Sequence, residues 1–173
     1  MTVTERARRL RMLIFDVDGV LTDGTLYYAD SGEEMKAFNS RDGQGIKLLQ
    51  AAGVTAAIIT SRRSKLVELR AKNLGIVQVR QGVEDKLAAF GELLAASGLS
   101  EDQAGFVGDD VVDLPVLRRC GLAMAVADAP EVLKQYVHYV TRAPGGRGAA
   151  REACELVLRA QGALDRVLEP YLR

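Results

Sequence analysis

The feature that most constrains the fold of this 173-residue chain is its regular alternation of short apolar segments with longer amphipathic ones. Apolar runs such as RMLIF (11–15), VTAAIIT (54–60) and AGFVG (104–108) have the length and composition of buried strands. Segments with helical periodicity lie between them, such as SKLVELRAKNLG (64–75), which has a serine cap and a glycine stop. Parallel strands need crossover helices, so the alternation predicts an α/β fold, a Rossmann-like three-layer parallel sheet with helices on both faces.

The alternation is interrupted once, by the segment GTLYYADSGEEMKAFNS (24–40), which directly follows the first strand. Two short strand-like pieces flank the turn ADSG, which is the pattern of a β-hairpin. We expect this hairpin to project from the sheet. Its apolar side chains either fold back onto their own domain or contact another subunit; they are Tyr27, Tyr28, Met35 and Phe38.

Composition and charge limit the possible functions. The chain is 48% hydrophobic and carries 23 basic and 23 acidic residues, so neither nucleic acid nor an anionic membrane is an expected partner.

We predict one domain over residues 1–173, with a hairpin insertion at about 24–40 and a C-terminal tail at about 143–173. Cys120 and Cys154 fit no metal-site or disulfide pattern, and no apolar run reaches the ~20 residues of a membrane span. We therefore expect a soluble, cytoplasmic protein.

Acidic residues, a threonine and a lysine stand where several predicted strands end. Asp16 and Asp18 follow the first strand, Thr60 ends the second, and Asp109 follows a later one. The carboxyl ends of parallel strands meet at one edge of the sheet, which is where such sheets bind ligands. Three acidic residues there predict a hard oxygen site for a cation such as Mg²⁺. Thr60 and Lys86, at the start of a predicted helix, would complete a phosphate-binding cradle.

Each of these residues also has an ordinary structural interpretation. Asp16 and Asp18 could form a turn next to Gly19, and the acidic residues that follow Gly108 could cap a helix. Thr60 alone could be a cap, and a lysine such as Lys86 is commonly a solvated surface residue. Their order along the chain and their shared place at strand ends favour a functional site.

Four segments, in order, resemble the motifs of the haloacid dehalogenase-like hydrolases: DVDGVLTDG (16–24), IITSR (58–62), the lysine of VEDKLAAF (83–90) and GDDVVDLPVL (108–117). Other segments are similar to the capless subclass of these hydrolases that acts on phosphorylated eight-carbon keto acids, so that the resemblance covers roughly residues 11 to 163. These segments are FNSRDGQGIKLL (38–49), SRRSKLVELRAKNLGI (61–76) and YVTRAPGGRGAAREACELVLRAQG (139–162). One departure is Ser61, where the family more often has glycine; its backbone N–H still allows phosphate binding.

The resemblance implies a phosphatase that uses a covalent intermediate. Asp16 would attack phosphorus and form an aspartyl phosphate, while Asp18 would act as general acid and then as general base. Asp16, Asp109 and the backbone carbonyl of Asp18 would hold Mg²⁺.

The resemblance also assigns the surrounding residues. Thr60 and Lys86 would bind the non-bridging phosphate oxygens, and Asp113 would orient Lys86 or a metal-bound water. Asp110 would face solvent or substrate rather than metal.

The substrate implied by the resemblance is a small sugar-acid phosphate of lipopolysaccharide precursor synthesis. Because this molecule carries a carboxylate as well as a phosphate, it needs basic groups beyond Lys86. Arg62 favours the eight-carbon substrate, since phosphatases of nine-carbon keto acid phosphates, the alternative, usually have an acidic residue there. For Lys47 and Arg70 an exposed helix face is the ordinary alternative. The family pattern places these residues around the sugar acid: Asn39, Ser40, Arg41, Asp42, Gly43, Lys47, Arg62 and Arg70.

Two other functions fit parts of the sequence. A response-regulator receiver domain also combines acidic residues, a threonine and a lysine, but its phosphoacceptor ends the third strand, whereas here the candidate ends the first. A sugar phosphomutase on the same core usually needs a cap domain to exclude water, and 173 residues leave no room for one.

The resemblance further implies a homotetramer in which hairpins pack together and a neighbouring subunit covers each active site. Gly145, Gly146 and Gly148 are expected to leave the backbone mobile around Arg147, so that Arg147 binds substrate in a neighbouring site. The alternative is a simple flexible connection to the last helix.

We expect a structural role for His138. The N-terminal arginines are expected to be a solvated lead-in; they are Arg6, Arg8, Arg9 and Arg11.

Overall fold

Six parallel strands form one sheet in the computed structural model, which describes residues 1–173. The sheet order is β5-β4-β1-β6-β7-β8, and a separate antiparallel hairpin consists of β2 and β3. The strands are β1 (Met12–Phe15), β2 (Tyr27–Tyr28), β3 (Glu34–Met35), β4 (Thr55–Thr60), β5 (Gln78–Gln81), β6 (Ala104–Gly108), β7 (Leu122–Ala125) and β8 (Tyr139–Val140). The predicted α/β fold with a hairpin after the first strand is confirmed.

Helices flank the sheet, and their ends follow the capping residues of the sequence. The helix that begins after Ser64 has that hydroxyl as acceptor for the Leu66 N–H, and it ends at Gly75 in the left-handed conformation. The helices are α1 (Val3–Arg9), α2 (Ser40–Ala51), α3 (Lys65–Leu74), α4 (Lys86–Ser97), α5 (Leu114–Leu117), α6 (Glu131–Lys134), α7 (Ala149–Ala160) and α8 (Leu164–Leu168).

The hydrophobic core surrounds the central strands. All four residues of β1 and all five of β6 are buried, because helices cover both faces of the sheet there. Phe15, Phe106 and Ile58 are among the largest fully buried side chains. This rigid centre carries the acidic residues that follow β1 and β6.

The hairpin leaves most of its apolar side chains uncovered. Tyr27, Tyr28 and Met35 are 44%, 60% and 68% exposed, whereas Phe38 packs against the core. Of the two alternatives for these residues, folding back therefore applies to Phe38 alone. The other three side chains remain available for a contact with another subunit.

The N-terminal segment forms a helix, and Arg8, Arg9 and Arg11 are exposed as expected. Thr2 and Glu5 form a capping box that starts α1, and Ala7 is fully buried. Arg6 Nη1 donates a hydrogen bond of 2.8 Å to the Gly121 carbonyl oxygen. Only Arg6 departs from the expectation, because the short apolar face around Ala7 and Leu10 docks the helix onto the domain.

The glycines before α7 are packed, so the expectation of a mobile backbone was wrong. Gly146 N–H donates to the Val20 carbonyl at 2.8 Å, and Gly145 N–H donates to Asp128 Oδ1 at 2.9 Å. A Cβ atom at Gly145 would overlap the carbonyl oxygen of Gly19. These glycines are needed because two backbone segments approach closely here, and the tail thereby supports the loop that carries Asp16 and Asp18.

The remaining structural expectations concern isolated side chains. His138 Nδ1 accepts a 2.9 Å hydrogen bond from the Ala123 N–H, which is the predicted structural role. Cys120 and Cys154 are buried free thiols, and burial raises the pKa of both. None of the helices combines the length and the apolar character needed to cross a bilayer.

We predict that Gly145→Ala destabilises the protein, because the added methyl group overlaps the Gly19 carbonyl. Overpacking of this kind costs about 1–3 kcal/mol. Gly91→Ala is the matched control, since Gly91 is an exposed position within α4 where a Cβ meets nothing within 4 Å. That control should be neutral or stabilising by up to ~1 kcal/mol. Equal midpoints of urea unfolding for the two variants would contradict the packing described here.

Candidate active site

The register of the central strands brings the predicted acidic residues together. Phe15 at the end of β1 lies beside Ile58 of β4 and Val107 of β6. Asp16 follows Phe15 directly, Thr60 lies two residues after Ile58, and Asp109 lies two residues after Val107. These three residues therefore meet at the carboxyl edge of the sheet. Asp16 and Thr60 are 6% and 2% exposed, so both are held in the floor of the site.

Lys86 is a buried cation between two carboxylates. Its Nζ lies 2.8 Å from Asp16 Oδ2 and 2.7 Å from Asp113 Oδ1. Burial by itself would lower the pKa of Lys86, but Asp16 and Asp113 outweigh it and raise that pKa. The unfavourable place of a lysine at the N-terminus of α4 is thus explained by two anions of the chain itself.

Asp113 supports its neighbours rather than facing the mouth of the site. It is fully buried, and its Oδ1 accepts from Lys86. Its Oδ2 accepts from the backbone N–H groups of Asp109 and Asp110, at 3.0 and 3.4 Å. Asp113 therefore fixes both the lysine and the turn that carries Asp109.

Asp16, Asp109 and Asp113 each offer a carboxylate oxygen within 4.8 Å of the others. Burial, with a further contribution from Asp113, raises the pKa of Asp16 to about 6, although Lys86 opposes the shift. Burial and the charges of Asp16 and Asp113 raise the pKa of Asp109 to about 8. At neutral pH this cluster resists full ionisation unless a cation balances it.

The donor set fits a hard divalent cation. The Asp109 carboxylate makes no hydrogen bond and no ion pair within the chain, while Asp113 is already occupied by Lys86 and backbone N–H groups. All donors are oxygens, with no histidine or cysteine among them, which suits Mg²⁺. Asp16 and Asp109 are thus the carboxylates positioned to hold it.

Gly19 allows the two acidic turns to approach each other. Its φ of +89° lies in the left-handed region, and a Cβ atom there would overlap the Asp109 carboxylate. The glycine of the DVDG segment is therefore required by both its backbone conformation and the space that Asp109 occupies.

The Asp18 side chain points away from this cluster, towards the hairpin. Its Oδ1 pairs with Lys36 Nζ, and its Oδ2 lies 3.8 Å from Arg62 Nε. Arg62 also contacts the hydroxyl and the ring face of Tyr28. Sequence reasoning missed Lys36; the available signal was the alternation in β3 and just beyond it, which places Glu34 and Lys36 on the face opposite to Met35.

Most of the other residues expected around the substrate lie outside the cluster. The segment Asn39–Gly43 forms the start of α2, which begins at Ser40 and is capped by Asn39. Asp42 is 2% exposed and accepts from the backbone N–H groups of Gly148 and Arg151, so it joins α2 to α7. The remaining members make no hydrogen bond or ion pair with Asp16 or Asp109. Ser40, Arg41 and Lys47 are exposed, and Gly43 is buried. Arg70 Nη2 donates a hydrogen bond to the Asn39 carbonyl oxygen.

Two further predicted residues lie at the rim of the site. Asp110 is exposed, and its Oδ1 accepts from the Val111 N–H. Arg147 is also exposed and lies beside the loop that follows β1 in its own chain, with Nη2 at 3.3 Å from Asp23 Oδ2. Both remain accessible to a ligand.

Comparisons with known proteins agree with this geometry. The sequence model of a family described as haloacid dehalogenase-like hydrolase matches residues 76–151. The chain is 52% identical, over 163 residues, to the 3-deoxy-D-manno-octulosonate 8-phosphate phosphatase of Yersinia pestis, covering 94% of this chain and 87% of the relative. The enzyme of the same name from Escherichia coli K12 is 50% identical, with the same coverage of both chains.

Solved structures of phosphatases with the same name are also similar to this chain. The crystal structure of the Yersinia pestis phosphatase superposes with a TM-score of 0.93, at 94% coverage of this chain and 88% of that one. The phosphatase of the same name from Moraxella catarrhalis, crystallised with a magnesium ion, a phosphate ion and a KDO molecule, is 38% identical. It superposes with a TM-score of 0.95, covering 98% of this chain and 97% of that one.

We predict that Asp109→Asn raises the melting temperature in the presence of a chelator at pH 8. The folded-state pKa of Asp109 is about 8, far above its ordinary 3.8, so this group costs stability as pH rises from about 4 to 8. The asparagine removes that cost, and a gain of ~1 kcal/mol would raise the melting temperature by about 2–4 °C.

We expect Mg²⁺ to stabilise the unmodified protein, and the same variant should lose this stabilisation. Thermal unfolding at pH 4.5 and pH 8, with chelator and with Mg²⁺, measures both effects. A variant less stable than the unmodified protein at pH 8 in chelator, or equally stabilised by Mg²⁺, would contradict the assignment.

Proposed function

The chain belongs to the 3-deoxy-D-manno-octulosonate 8-phosphate phosphatases of the haloacid dehalogenase-like hydrolases, and we propose that it performs the reaction of that family. It is a Mg²⁺-dependent phosphatase that hydrolyses the 8-phosphate of this eight-carbon keto acid to the free sugar acid and phosphate. The observation that carries the proposal is the oxygen cluster of Asp16 and Asp109 beside the buried Lys86. We regard residues 1–173 as one capless domain.

Asp16 is the nucleophile. Its position directly after β1, 6% exposed and paired with Lys86, fixes the carboxylate at the carboxyl edge of the sheet. One oxygen attacks phosphorus as the bond to the sugar oxygen breaks, which gives an aspartyl phosphate. Mg²⁺, held by Asp16, Asp109 and the backbone carbonyl of Asp18, would neutralise phosphate charge.

Asp18 moves the proton. Its side chain is 19% exposed, so it reaches the mouth of the site where the sugar oxygen departs. Asp18 gives its proton to that oxygen in the first step. In the second step it takes a proton from the water that hydrolyses the aspartyl phosphate.

Thr60 and Lys86 bind the non-bridging oxygens of the phosphate. Thr60 ends β4 next to the catalytic loop, and the Lys86 ammonium is already directed at Asp16. Asp113 keeps Lys86 in place from the buried side, so the ammonium costs little reorganisation when phosphate arrives.

Arg62 supports an eight-carbon keto acid as substrate. It lies beside Asp18 and is exposed, so its guanidinium is placed to bind the substrate carboxylate in bidentate fashion. Asp110 and Arg147, at the rim, would contact the sugar acid. The second candidate, a phosphatase of nine-carbon keto acid 9-phosphates, has the same chemistry and differs only in this recognition.

We further propose a cytoplasmic homotetramer that serves lipopolysaccharide precursor synthesis. Tyr27 and Met35 lie opposite each other on the hairpin and are both exposed, which gives it an apolar outer face for packing between subunits. The residues of α2 and α3 expected around the substrate do not contact their own cluster, so they would reach the site of a neighbouring subunit. They are Asn39, Ser40, Arg41, Lys47 and Arg70.

We predict that the protein releases phosphate from the eight-carbon keto acid 8-phosphate with a higher kcat/KM than from a nine-carbon 9-phosphate. Mg²⁺ should be required, and a chelator should abolish turnover. Asp16→Asn is the control and should lose more than ~10⁴-fold of kcat, because a nucleophile is removed. A preference for the nine-carbon compound would make the nine-carbon keto acid phosphatase the favoured function. Activity in Asp16→Asn would refute the proposed mechanism.

We predict that the protein sediments as four copies of the 18.7 kDa chain. Replacing the opposed pair Tyr27 and Met35 by lysine should give smaller species with reduced activity, because charges then face each other across the interface. Val77→Lys is the control: Val77 is 88% exposed at the amino end of β5, the end of the sheet opposite to the site, and its variant should stay tetrameric. An active monomer of the unmodified protein would contradict the proposed assembly.

Mixed tetramers show which subunit supplies Arg147. Because Arg147 pairs with Asp23 of its own chain, we expect it to act in its own site. Mixing Asp16→Asn subunits with Arg147→Ala subunits should then give no more activity than the separate parents. A gain in activity would place Arg147 in a neighbouring site.

A further inference from the structure

Lys36 is a buried charge with no assigned role. Its side chain is only 2% exposed, although it belongs to the hairpin, whose other side chains are mostly open to solvent. Lysine is among the residues least often buried, because removing an ammonium from water is costly unless anions compensate it. The burial of Lys36 therefore depends on the two carboxylates next to it.

Those carboxylates are Asp18, with which the ammonium makes a direct ion pair, and Glu34, whose Oε1 is 3.1 Å away. Glu34 precedes Lys36 by two residues and shares its face of the hairpin, so it braces the lysine from the same element. Arg62 completes the group, within 4.0 Å of Glu34 Oε1 and 3.8 Å of Asp18 Oδ2.

This contact fixes a side chain that has little else to hold it. Asp18 lies on a turn between β1 and the hairpin, and its carboxylate accepts no hydrogen bond from the backbone of the catalytic loop. Asp16, by contrast, is held by Lys86 and by the Val17 N–H. The orientation of Asp18 is thus set from the hairpin.

We propose that Lys36 is a positioning residue for Asp18, holding its carboxylate at the place where the sugar oxygen departs; this rests on the proposed role of Asp18 as general acid and base. In the first step the phosphorus–oxygen bond to the sugar breaks, the bond to Asp16 forms, and the Asp18 proton goes to the departing oxygen. Lys36 does not touch the reacting atoms. It acts by keeping Asp18 within reach of that oxygen.

The proposal distinguishes substrates by their leaving groups. A sugar alkoxide is a poor leaving group and needs the proton, whereas 4-nitrophenolate departs without one. kcat/KM reports the steps up to and including departure of the leaving group, so the later use of Asp18 as a base does not affect it. Loss of a well-placed Asp18 should therefore reduce kcat/KM for the sugar phosphate and hardly change it for 4-nitrophenyl phosphate.

The test is Lys36→Met, which retains the length of the side chain without its charge. We expect kcat/KM for the eight-carbon sugar acid phosphate to fall about 10- to 100-fold, within the range of general acid catalysis, and that for 4-nitrophenyl phosphate by less than about 3-fold. Lys36→Arg should restore much of the loss. Lys72→Met, which removes an exposed lysine of α3, should behave as the unmodified protein.

A double-mutant cycle with Asp18→Asn makes the test specific. If Lys36 acts through Asp18, then Lys36→Met adds little to the loss already caused by Asp18→Asn. Thermal unfolding and sedimentation of each variant show whether the fold and the assembly persist.

Three results would overturn the proposal: equal losses with both substrates, which indicate a structural role; a raised KM with unchanged kcat, which indicates direct binding of substrate; or additive losses in the cycle. Failure of the underlying function is a different result, since the unmodified protein would then release no phosphate from the sugar phosphate.

Discussion

The buried contact of Lys86 with Asp16 and Asp113 is the interaction on which the rest of the site depends. Parallel strands carry their loops to one edge of the sheet, and here that edge gathers three carboxylates within 4.8 Å. Lys86 offsets part of this negative charge from the inner side, at 2.8 and 2.7 Å. The Asp109 carboxylate is left facing outward without a partner, which gives the cation its place.

The same distribution of charge separates the tasks of the two aspartates of the DVDG segment. Asp16 is held by Lys86 in the floor of the site, which is the position that the proposed attack on phosphorus requires. Asp18, two residues later, is turned to the opposite side and is held by Lys36 from the hairpin. The proposed nucleophile and the proposed proton carrier thus have different supports, one in the core and one in the insertion.

Because the hairpin has two faces, it would link the proposed chemistry with the proposed assembly. Its inner face carries Glu34 and Lys36 to Asp18, while its outer face leaves Tyr27 and Met35 exposed. In the proposed tetramer, packing of the outer face would also fix the inner one. The tail supports the same loop from another side, through the close approach of Gly145 to Gly19.

The sequence by itself determined the α/β fold, the hairpin, and the place of Asp16, Thr60 and Asp109 at one sheet edge. Strand and helix periodicity, capping residues and the rule for parallel sheets act over short ranges of sequence, so they can be recognised without a structure. Only the tertiary structure decided contacts between distant segments. Lys36 meets Asp18 across 18 residues, and Asp42 meets Gly148 across 106.

For Lys36 the local alternation indicates the face on which the side chain lies, but it does not identify the carboxylate that the lysine meets. For Asp42, no feature of the nearby sequence indicates a contact with Gly148. The glycines of the tail illustrate the point most clearly. Their composition suggested mobility, but Gly145 and Gly146 lack side chains because the catalytic loop occupies that space. Flexibility and close packing both select glycine, and only the positions of other atoms distinguish them.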